Sequence, residues 1–199
     1  MNRSLRALSH CYHNGCNVIL ARELSSQVRG GVRGNPRRIW RWMYEVNVLG
    51  YQAVLAALLP ALRQGALEHG VASIAVVTST AAHMVGVGAA GYNAAKFAER
   101  AVTEVLRLEL NGEPIRVIEV APGMVHTEEF SMVRFGGDQA RADSVYQNVV
   151  NPLTAEDVAG VIVNALNQPA HVNLDRIIMM PVAQAAPHVL TRGALKIRQ

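Results

Sequence analysis

The sequence predicts an α/β fold in which a parallel β-sheet is flanked by helices. Short continuous apolar runs rich in β-branched residues indicate buried strands, and longer segments with apolar residues every three to four positions indicate helices. The two kinds of segment alternate along the chain, as in parallel sheets with right-handed crossovers. With 199 residues, half of them apolar, the chain can form one domain with its own core, which argues against extensive disorder or a disulfide scaffold.

The first predicted element is a long helix over residues 36–66. Asn35-Pro36 is a favourable start, because asparagine caps helices and proline suits the first helical turn. Apolar residues then recur at helical spacing between Ile39 and Leu62. Gly50 and Pro60 are the positions at which we expect this helix to bend.

Two strands with a helix between them follow. Ser73–Thr78 is a continuous apolar run that predicts a buried parallel strand. A helix is predicted over 92–110, and it ends at Asn111-Gly112. Ile115–Val120 predicts the second strand, which Pro122-Gly123 terminates.

The C-terminal part of the chain predicts one helix and one short strand. Residues 124–150 lack clear periodicity and are expected to be irregular. Thr154 and Asp157 form a variant of the capping box and predict a helix that extends to Asn167. Ile177–Met180 predicts a last short strand.

Charge is distributed unevenly along the chain. The net charge is +4, but residues 1–41 alone carry +7 and residues 42–199 carry −3. Residues 1–34 also show no periodicity, so we expect a poorly ordered basic leader there and the folded part over 35–199. No apolar segment of a secretory signal follows the first arginines, and the longest uncharged stretch, Val71–Ala95, is too polar for a membrane span. We therefore expect a cytoplasmic protein that is not associated with a membrane.

The basic leader also permits three functional interpretations. Arginine-rich segments bind nucleic acids, but no recognisable binding module accompanies this one. Residues 1–22 have the arginine-rich, acid-poor composition of transit peptides. Four possible zinc ligands are crowded together and lack the two separated pairs typical of structural zinc sites: His10, Cys11, His13 and Cys16. We expect no nucleic-acid partner and no metal.

Tyr92 and Lys96 form the most informative pair in the sequence. A spacing of four places both side chains on one face of the predicted helix. A neighbouring ammonium lowers the pKa of tyrosine, which makes the phenol a usable acid or base near neutral pH. The chain has only two lysines, Lys96 and Lys196, beside seventeen arginines, so a compact ammonium is favoured at this position. Taken alone, the pair is more often an ordinary pair on a helix surface, because this spacing occurs by chance in many proteins.

Two further polar residues lie where a site is expected. Ser79 follows the strand Ser73–Thr78, at the sheet edge where open α/β folds bind ligands, and its hydroxyl could polarise a substrate carbonyl. Asn47 lies within an apolar helix and could hold a water molecule where the helix bends near Gly50. Each residue taken alone is also compatible with a local structural role.

Four segments together resemble the short-chain dehydrogenase/reductase superfamily in their order and spacing. They are N-V-L-G from Asn47, V-V-T-S-T-A-A from Val76, Y-N-A-A-K from Tyr92 and V-A-P-G-M-V-H-T from Val120. The resemblance covers about residues 35–182 and implies a Rossmann-type sheet that binds NADP or NAD.

The resemblance assigns a role to each residue of a catalytic tetrad. It implies that Tyr92 gives or takes the proton, while Ser79 polarises the substrate carbonyl and is thereby also a substrate-binding residue. Lys96 would lower the pKa of Tyr92 and bind the nicotinamide ribose, so that both residues also contact the cofactor, and Asn47 would hold a water in the proton relay. Three further residues would contact the nicotinamide end of the cofactor: Pro122, Gly123 and Thr127.

The C-terminal segments resemble one branch of this superfamily, the NADP-dependent 3-hydroxy acid (serine 3-) dehydrogenases. The matching segments are E-F-S-M-V-R-F-G-G-D over 129–138, L-T-A-E-D-V over 153–158 and P-A-H-V-N-L-D-R-I-I-M-M-P over 169–181. The branch implies oxidation of a small hydroxy acid or reduction of the related carbonyl compound. We hypothesise that Arg134 binds a substrate carboxylate.

The N-terminal half of this family pattern is missing from the sequence. Family members begin with a strand and a T-G-x-x-x-G-x-G turn and carry a later N-N-A-G segment, and neither motif occurs here. Gly30, Gly31 and Gly34 lack the spacing of that fingerprint. Only 46 residues precede Asn47, whereas the missing strands and helices need roughly 85. We therefore expect an incomplete sheet without the adenosine half of the cofactor site.

Two functions remain open on these grounds. The first is an oxidoreductase that transfers a hydride between NAD(P) and a small hydroxy acid or carbonyl compound. The second is a catalytically silent, truncated or frameshifted member of the family that acts, if at all, as a subunit-pairing module. In either case the family resemblance implies a homodimer or homotetramer formed through helices 36–66 and 92–110.

Overall fold

The computed structural model describes residues 7–12, 15–21, 32, 36–127 and 139–197. Its main sheet has five strands in the order β1-β2-β3-β4-β5. They are β1 Ala7–Tyr12, β2 Gly15–Ala21, β3 Ala72–Val77, β4 Ile115–Pro122 and β5 Arg176–Met179. The first two strands are antiparallel, and β2 to β5 run parallel to one another. A separate pair of short strands follows: β6 Gln184–Ala186 and β7 Val189–Leu190.

Five α-helices accompany these strands in the described part of the chain. They are α1 Arg37–Tyr44, α2 Gly50–His69, α3 Ala90–Glu109, α4 Gln139–Tyr146 and α5 Ala155–Leu166. A π-helical turn, Glu45–Leu49, joins α1 to α2, and a short 3₁₀ turn, Thr80–Ala82, follows β3. This arrangement confirms the predicted α/β fold with a parallel sheet flanked by helices.

The sheet is covered on both faces by apolar side chains. Every residue of β3 and β4 is buried, as expected for central parallel strands. On one face, side chains of α2 and α3 pack against Ile74, Val76 and Val117. On the other face, α5 packs against Ala75, Val77, Ile118 and Val120 through Ile162 and Ala165.

The local sequence signals position most of these elements correctly. The strand predicted from Ser73 and the helix predicted over 92–110 are confirmed within a few residues. The capping box of Thr154 and Asp157 is formed, with Thr154 Oγ1 accepting from the Asp157 amide at 3.2 Å. The long first helix is confirmed but carries the π-helical turn immediately before Gly50, where we expected a bend.

Two segments carry structure that the local pattern does not predict. β1 and β2 lie within residues 1–34, where we expected no regular structure. β2 contains the short apolar patch at Val18–Leu20 and pairs in parallel with β3, so its partner lies more than fifty residues along the chain. Helix α4 lies within residues 124–150, which we expected to be irregular.

One helix of the described residues, 37–69, is long and apolar enough by composition to span a membrane. Its residues Tyr51, Leu55, Leu62 and Ala66 are buried against the sheet. A helix that packs into the core of a domain satisfies the same length and hydropathy test, and 22% of this apolar window is buried.

Candidate functional site

The candidate site lies at the carboxyl edge of the sheet, where β3 and β4 end side by side. The amide of Thr78 donates to the carbonyl of Val120 at 2.8 Å, so the pairing of the two strands continues to this edge. Ser79 follows β3 after one residue, Thr78, and Pro122-Gly123 ends β4. The two segments predicted to bind substrate and nicotinamide therefore leave the sheet at neighbouring positions, as ligand-binding loops of open α/β sheets do.

Ser79 is held in place by the short turn that it starts. Its Oγ accepts a hydrogen bond from the amide of Ala81 at 3.2 Å, and its carbonyl accepts one from the amide of Ala82 at 2.8 Å. The side chain is buried, with extended backbone geometry. A hydroxyl can donate while it accepts, so this contact fixes Oγ without using its own proton.

Tyr92 and Lys96 lie on the first turns of α3, one turn apart. Nζ of Lys96 is 6.0 Å from the centre of the Tyr92 ring. Lys96 has no exposed surface, whereas Tyr92 is half-buried. Lys96 also contacts a second buried residue of the helix, because its Nζ lies 2.8 Å from Oε2 of Glu99.

Gly91 allows the start of α3 to lie directly against α1. A Cβ at this position would overlap Cε of Met43 and lie 3.4 Å from the ring of Trp40. Gly91 is buried, so no space exists for a side chain unless Met43 moves. The small residue beside Tyr92 thus sets how closely the two helices approach.

Asn47 occupies the π-helical turn that faces α3. It is buried, and its Nδ2 donates to the carbonyl of Met43 at 2.9 Å. Its Oδ1 is also buried and meets no hydrogen-bond partner among the described residues. Such turns are frequent at functional sites. A buried acceptor of this kind suits a water molecule, which is the role predicted from the sequence.

Asn93 fastens the Ser79 turn to the first turn of α3. Its Nδ2 donates to the carbonyls of Ala81 at 2.8 Å and Met84 at 2.9 Å, and its Oδ1 accepts from the amide of Gly86 at 3.2 Å. The residue is buried and adjacent to Tyr92. The sequence reasoning missed Asn93 as a positioning residue, although it lies within Y-N-A-A-K.

Replacing Asn93 by Ala is expected to lower the free energy of unfolding by about 2–3 kcal/mol, because one buried carbonyl, one partly buried carbonyl and one amide lose their partner. Urea unfolding measures this loss, and hydrogen exchange at the Gly86 amide should become faster. Asn111→Ala, at an exposed position beyond α3, is the control and should change stability little. Equal stability of the two variants would contradict the role assigned to Asn93.

The loop after β4 is fixed by residues of β5 and β6. The amide of Gly123 donates to the carbonyl of Met179 at 2.7 Å, and the amide of Met124 donates to Oε1 of Gln184 at 2.8 Å. A Cβ at Gly123 would overlap that same Oε1 and Cγ of Met180, so a side chain fits here only if Gln184 and Met180 move. Thr127 lies at the end of this loop and is partly buried. Gln184 was not predicted, since no local signal connects it to Gly123.

The buried carboxylate of Glu119, on β4, connects three segments next to the site. Oε1 of Glu119 on β4 accepts from Thr78 Oγ1 at 2.7 Å and contacts His83 Nε2 at 2.8 Å, and Oε2 accepts from Arg176 Nε at 3.0 Å. Burial raises the pKa of Glu119, but hydrogen bonds from Thr78, Arg176 and His83 outweigh it and leave the pKa below its ordinary value. Glu119 thus joins the end of β3, the Ser79 loop and β5.

Two sets of predicted residues lie outside the described structure. Arg134, the predicted carboxylate-binding residue, falls in the segment 128–138. The side chains of the possible zinc ligands also lie outside the described structure: His10, Cys11, His13 and Cys16. Within the described residues, no three His, Cys, Asp or Glu side chains are grouped so as to hold a metal ion.

Comparison with known proteins identifies the family. A family model described as short chain dehydrogenase matches residues 29–134, which is more than half of the chain. The chain belongs to the short-chain dehydrogenase family. The matched range includes Asn47, Ser79, Tyr92 and Lys96 and extends through the loop at Pro122.

Individual relatives of the chain are named as oxidoreductases. It is 52% identical over 147 residues to an uncharacterized oxidoreductase of Mycobacterium tuberculosis, covering 74% of this chain and 56% of the relative. It is 42% identical over 147 residues to sulfoacetaldehyde reductase 2 of Chromohalobacter salexigens, covering 73% and 56%. It is 36% identical over 152 residues to serine 3-dehydrogenase of Rhizobium radiobacter, covering 75% and 57%. The chain thus spans little more than half the length of these curated relatives.

A solved structure supports the same assignment. The closed form of serine dehydrogenase complexed with NADP+ superposes with a TM-score of 0.74 and 32% identity, covering 88% of this chain and 66% of that one. The likeness confirms the Rossmann-type sheet and the resemblance to the serine 3-dehydrogenase and 3-hydroxy acid dehydrogenase branch.

Proposed function

We propose that this short-chain dehydrogenase transfers a hydride between NADP or NAD and a small hydroxy acid or related carbonyl compound, with Tyr92 as the acid/base. One observation carries the proposal: Lys96 Nζ lies 6.0 Å from the centre of the Tyr92 ring on α3. Asn93, on the same helix, binds the turn that begins at Ser79 through the carbonyl of Ala81. A phenol, an ammonium and a serine hydroxyl are thus held at one end of the sheet, which is the donor set that carbonyl reduction needs.

In the reduction direction, the residues of this chain handle the proton. The Tyr92 hydroxyl gives its proton to the carbonyl oxygen, while Ser79 Oγ donates a hydrogen bond to that oxygen as negative charge develops. The Lys96 ammonium stabilises the phenolate that Tyr92 leaves, and a water held by Asn47 Oδ1 joins the path by which Tyr92 regains its proton. When bound, the nicotinamide supplies the hydride to the carbonyl carbon or, in oxidation, accepts it.

The residues present suit the nicotinamide end of the cofactor. Pro122, Gly123 and Thr127 lie on a loop whose backbone is fixed by Met179 and Gln184, and this loop leaves the sheet beside Ser79. Lys96 and Tyr92 would hold the ribose. The sequence contains no glycine-rich turn for the pyrophosphate, so we expect the adenosine end to add little affinity.

The relatives and one arginine support the proposed substrate class. Sulfoacetaldehyde and serine are small molecules with an anionic group, and relatives named for acting on them are 42% and 36% identical to this chain. We propose that Arg134 binds the carboxylate of such a substrate.

We further propose a cytoplasmic homodimer or homotetramer formed through α2 and α3, where Leu67 and Leu108 are about four-fifths exposed.

Titration of the purified protein with NADPH, followed by nicotinamide fluorescence, tests this function. We expect saturable binding, and reduced nicotinamide mononucleotide should bind with an affinity within about tenfold of that of NADPH, because little holds the adenosine end. Turnover of a small hydroxy acid with NADP+ should accompany binding. No saturable binding at millimolar NADPH would reject the oxidoreductase and leave the alternative of a catalytically silent subunit-pairing module, which light scattering would then examine.

A further inference from the structure

A buried carboxylate contacts the ammonium of Lys96. Nζ of Lys96 and Oε2 of Glu99 are 2.8 Å apart, and the two side chains are 0% and 6% exposed. Both residues lie on α3 at a spacing of three, so the helix itself brings them together. Because little water reaches the pair, the two charges interact more strongly than those of a surface ion pair.

Lys96 lies between Glu99 and Tyr92 along α3. The ammonium is 6.0 Å from the Tyr92 ring, which precedes it by one helical turn, and Glu99 follows it by one turn. The positive charge that would stabilise a Tyr92 phenolate is therefore also attracted by a carboxylate. A carboxylate at this position partly offsets the field that the ammonium exerts on the phenol.

Tyr51 is the titratable group of α2 that faces this part of α3. Tyr51 OH lies 2.8 Å from Thr103 Oγ1, and Thr103 Oγ1 donates to the Glu99 carbonyl at 2.9 Å. Burial raises the pKa of Tyr51, and the negative charges of Glu99 and Glu119 raise it further, against the hydrogen bond with Thr103. Asn47, on the π-helical turn that packs against α3, has a neutral side chain and adds no charge near Lys96.

Other charged groups on the adjoining elements are paired elsewhere or, like Arg41 on α1 and Glu45 on the π-helical turn, are exposed. Glu119 on β4 binds Thr78, His83 and Arg176. On α3 itself, Arg100 pairs with Glu104 at 2.8 Å, and Arg107 pairs with Asp175. Oε2 of Glu99 lies within ion-pair distance of Lys96 Nζ.

We infer that Glu99 is a positioning residue that holds the Lys96 ammonium and, by offsetting part of its charge, raises the pH at which Tyr92 releases its proton. Glu99 acts through Lys96 and needs no contact with substrate or cofactor. The use of Tyr92 as an acid/base rests on the proposed function, whereas the effect of Glu99 on the titration of Tyr92 does not.

Titration of Tyr92 by its tyrosinate absorbance tests this inference without cofactor or turnover. The chain has five tyrosines, so subtracting the curve of Tyr92→Phe isolates Tyr92, and the same subtraction is made in the Glu99→Gln background. Glutamine keeps the shape of the side chain and removes its charge. We expect the midpoint of the Tyr92 titration to fall by about one pH unit in Glu99→Gln.

Glu109→Gln is the matched control, because it removes the same charge from an exposed position at the end of α3. Its Tyr92 midpoint should equal that of the wild type. An unchanged or raised midpoint in folded Glu99→Gln would overturn the inference. If circular dichroism shows that Glu99→Gln does not fold, Glu99→Asp, which withdraws the carboxylate by one methylene, should lower the midpoint by a smaller amount, and a wild-type midpoint there would overturn it.

The two proposals fail in distinguishable ways. A protein that binds no NADPH but shows the expected midpoint shift refutes the proposed function and leaves the role of Glu99 intact. A protein that turns over substrate through Tyr92 but shows no shift retains the proposed function and loses the role of Glu99.

Discussion

Replacing Tyr92 by Phe is expected to lower kcat/KM for a small hydroxy acid by about 10²–10⁴-fold, because the phenol is the group that exchanges a proton with the substrate oxygen. The ring is retained, so the packing of α3 and the affinity for NADPH should change little. Steady-state kinetics with NADP+ and fluorescence titration with NADPH measure the two quantities separately. The effect should appear in kcat at saturating substrate, since the lost interaction belongs to the transition state.

Tyr44→Phe is the matched control for this substitution. Tyr44 ends α1 and is 37% exposed, so the loss of its hydroxyl should leave kcat/KM within about twofold of the wild-type value. If Tyr92→Phe retained wild-type kcat, another group would have to supply the proton. The proposed role of Tyr92 would then be wrong even if NADPH binds.

Replacing Glu119 by Leu is expected to lower the free energy of unfolding by about 3–5 kcal/mol, because a fully buried carboxylate with three partners is removed. Thr78, His83 and Arg176 each lose a hydrogen-bond partner. Urea unfolding at neutral pH measures the loss. Since Glu119 supports the loop that carries Ser79, amide hydrogen exchange in residues 80–86 should also become faster.

Glu104→Leu is the control, because Glu104 shares the partner Arg176 but is 38% exposed. A surface network of this kind should contribute no more than about 1 kcal/mol. Similar losses in the two variants would show that Arg176, and not the buried carboxylate, is what matters for stability.

Glu119→Leu is also expected to change the pH dependence of stability. The pKa of Glu119 is lowered in the folded protein, so its contribution is present above the pKa of an unfolded glutamate and is lost as pH falls through the folded pKa. The wild type should lose stability below about pH 4, and Glu119→Leu should lose less over that range. The difference between the two curves isolates Glu119 from Glu104 and Glu113, whose pKa values are also lowered.

The elements around the site are largely predictable from local patterns. The β-branched run from Ser73 and the apolar spacing after Tyr92 each report on a few consecutive residues, and a strand or helix forms from such local preferences once a core is available. The Tyr92–Lys96 pair is likewise predictable from a local pattern. A spacing of four places two side chains together on any helix, and the structure has them one turn apart on α3.

Other elements depend on distant partners and have no local signal. Strand β2 was not predicted, because Val18–Leu20 is too short a patch to distinguish a strand, and its pairing partner β3 is remote in sequence. Helix α4 has weak amphipathic character and escaped prediction for a similar reason. Glu99 is an intermediate case, since its spacing from Lys96 is visible in the sequence whereas the burial of the pair is not.

Local patterns in the amino-acid sequence establish the α/β order of elements, the spacing of the tetrad residues and the resemblance to short-chain dehydrogenases. Only the tertiary structure showed that Glu119 joins Thr78, His83 and Arg176, and that Gln184 holds the loop at Gly123. The physical reason is the range of the contacts. Those between Glu119 and its partners span 36 to 57 residues, and they arise from sheet register and crossover packing, which no local periodicity encodes.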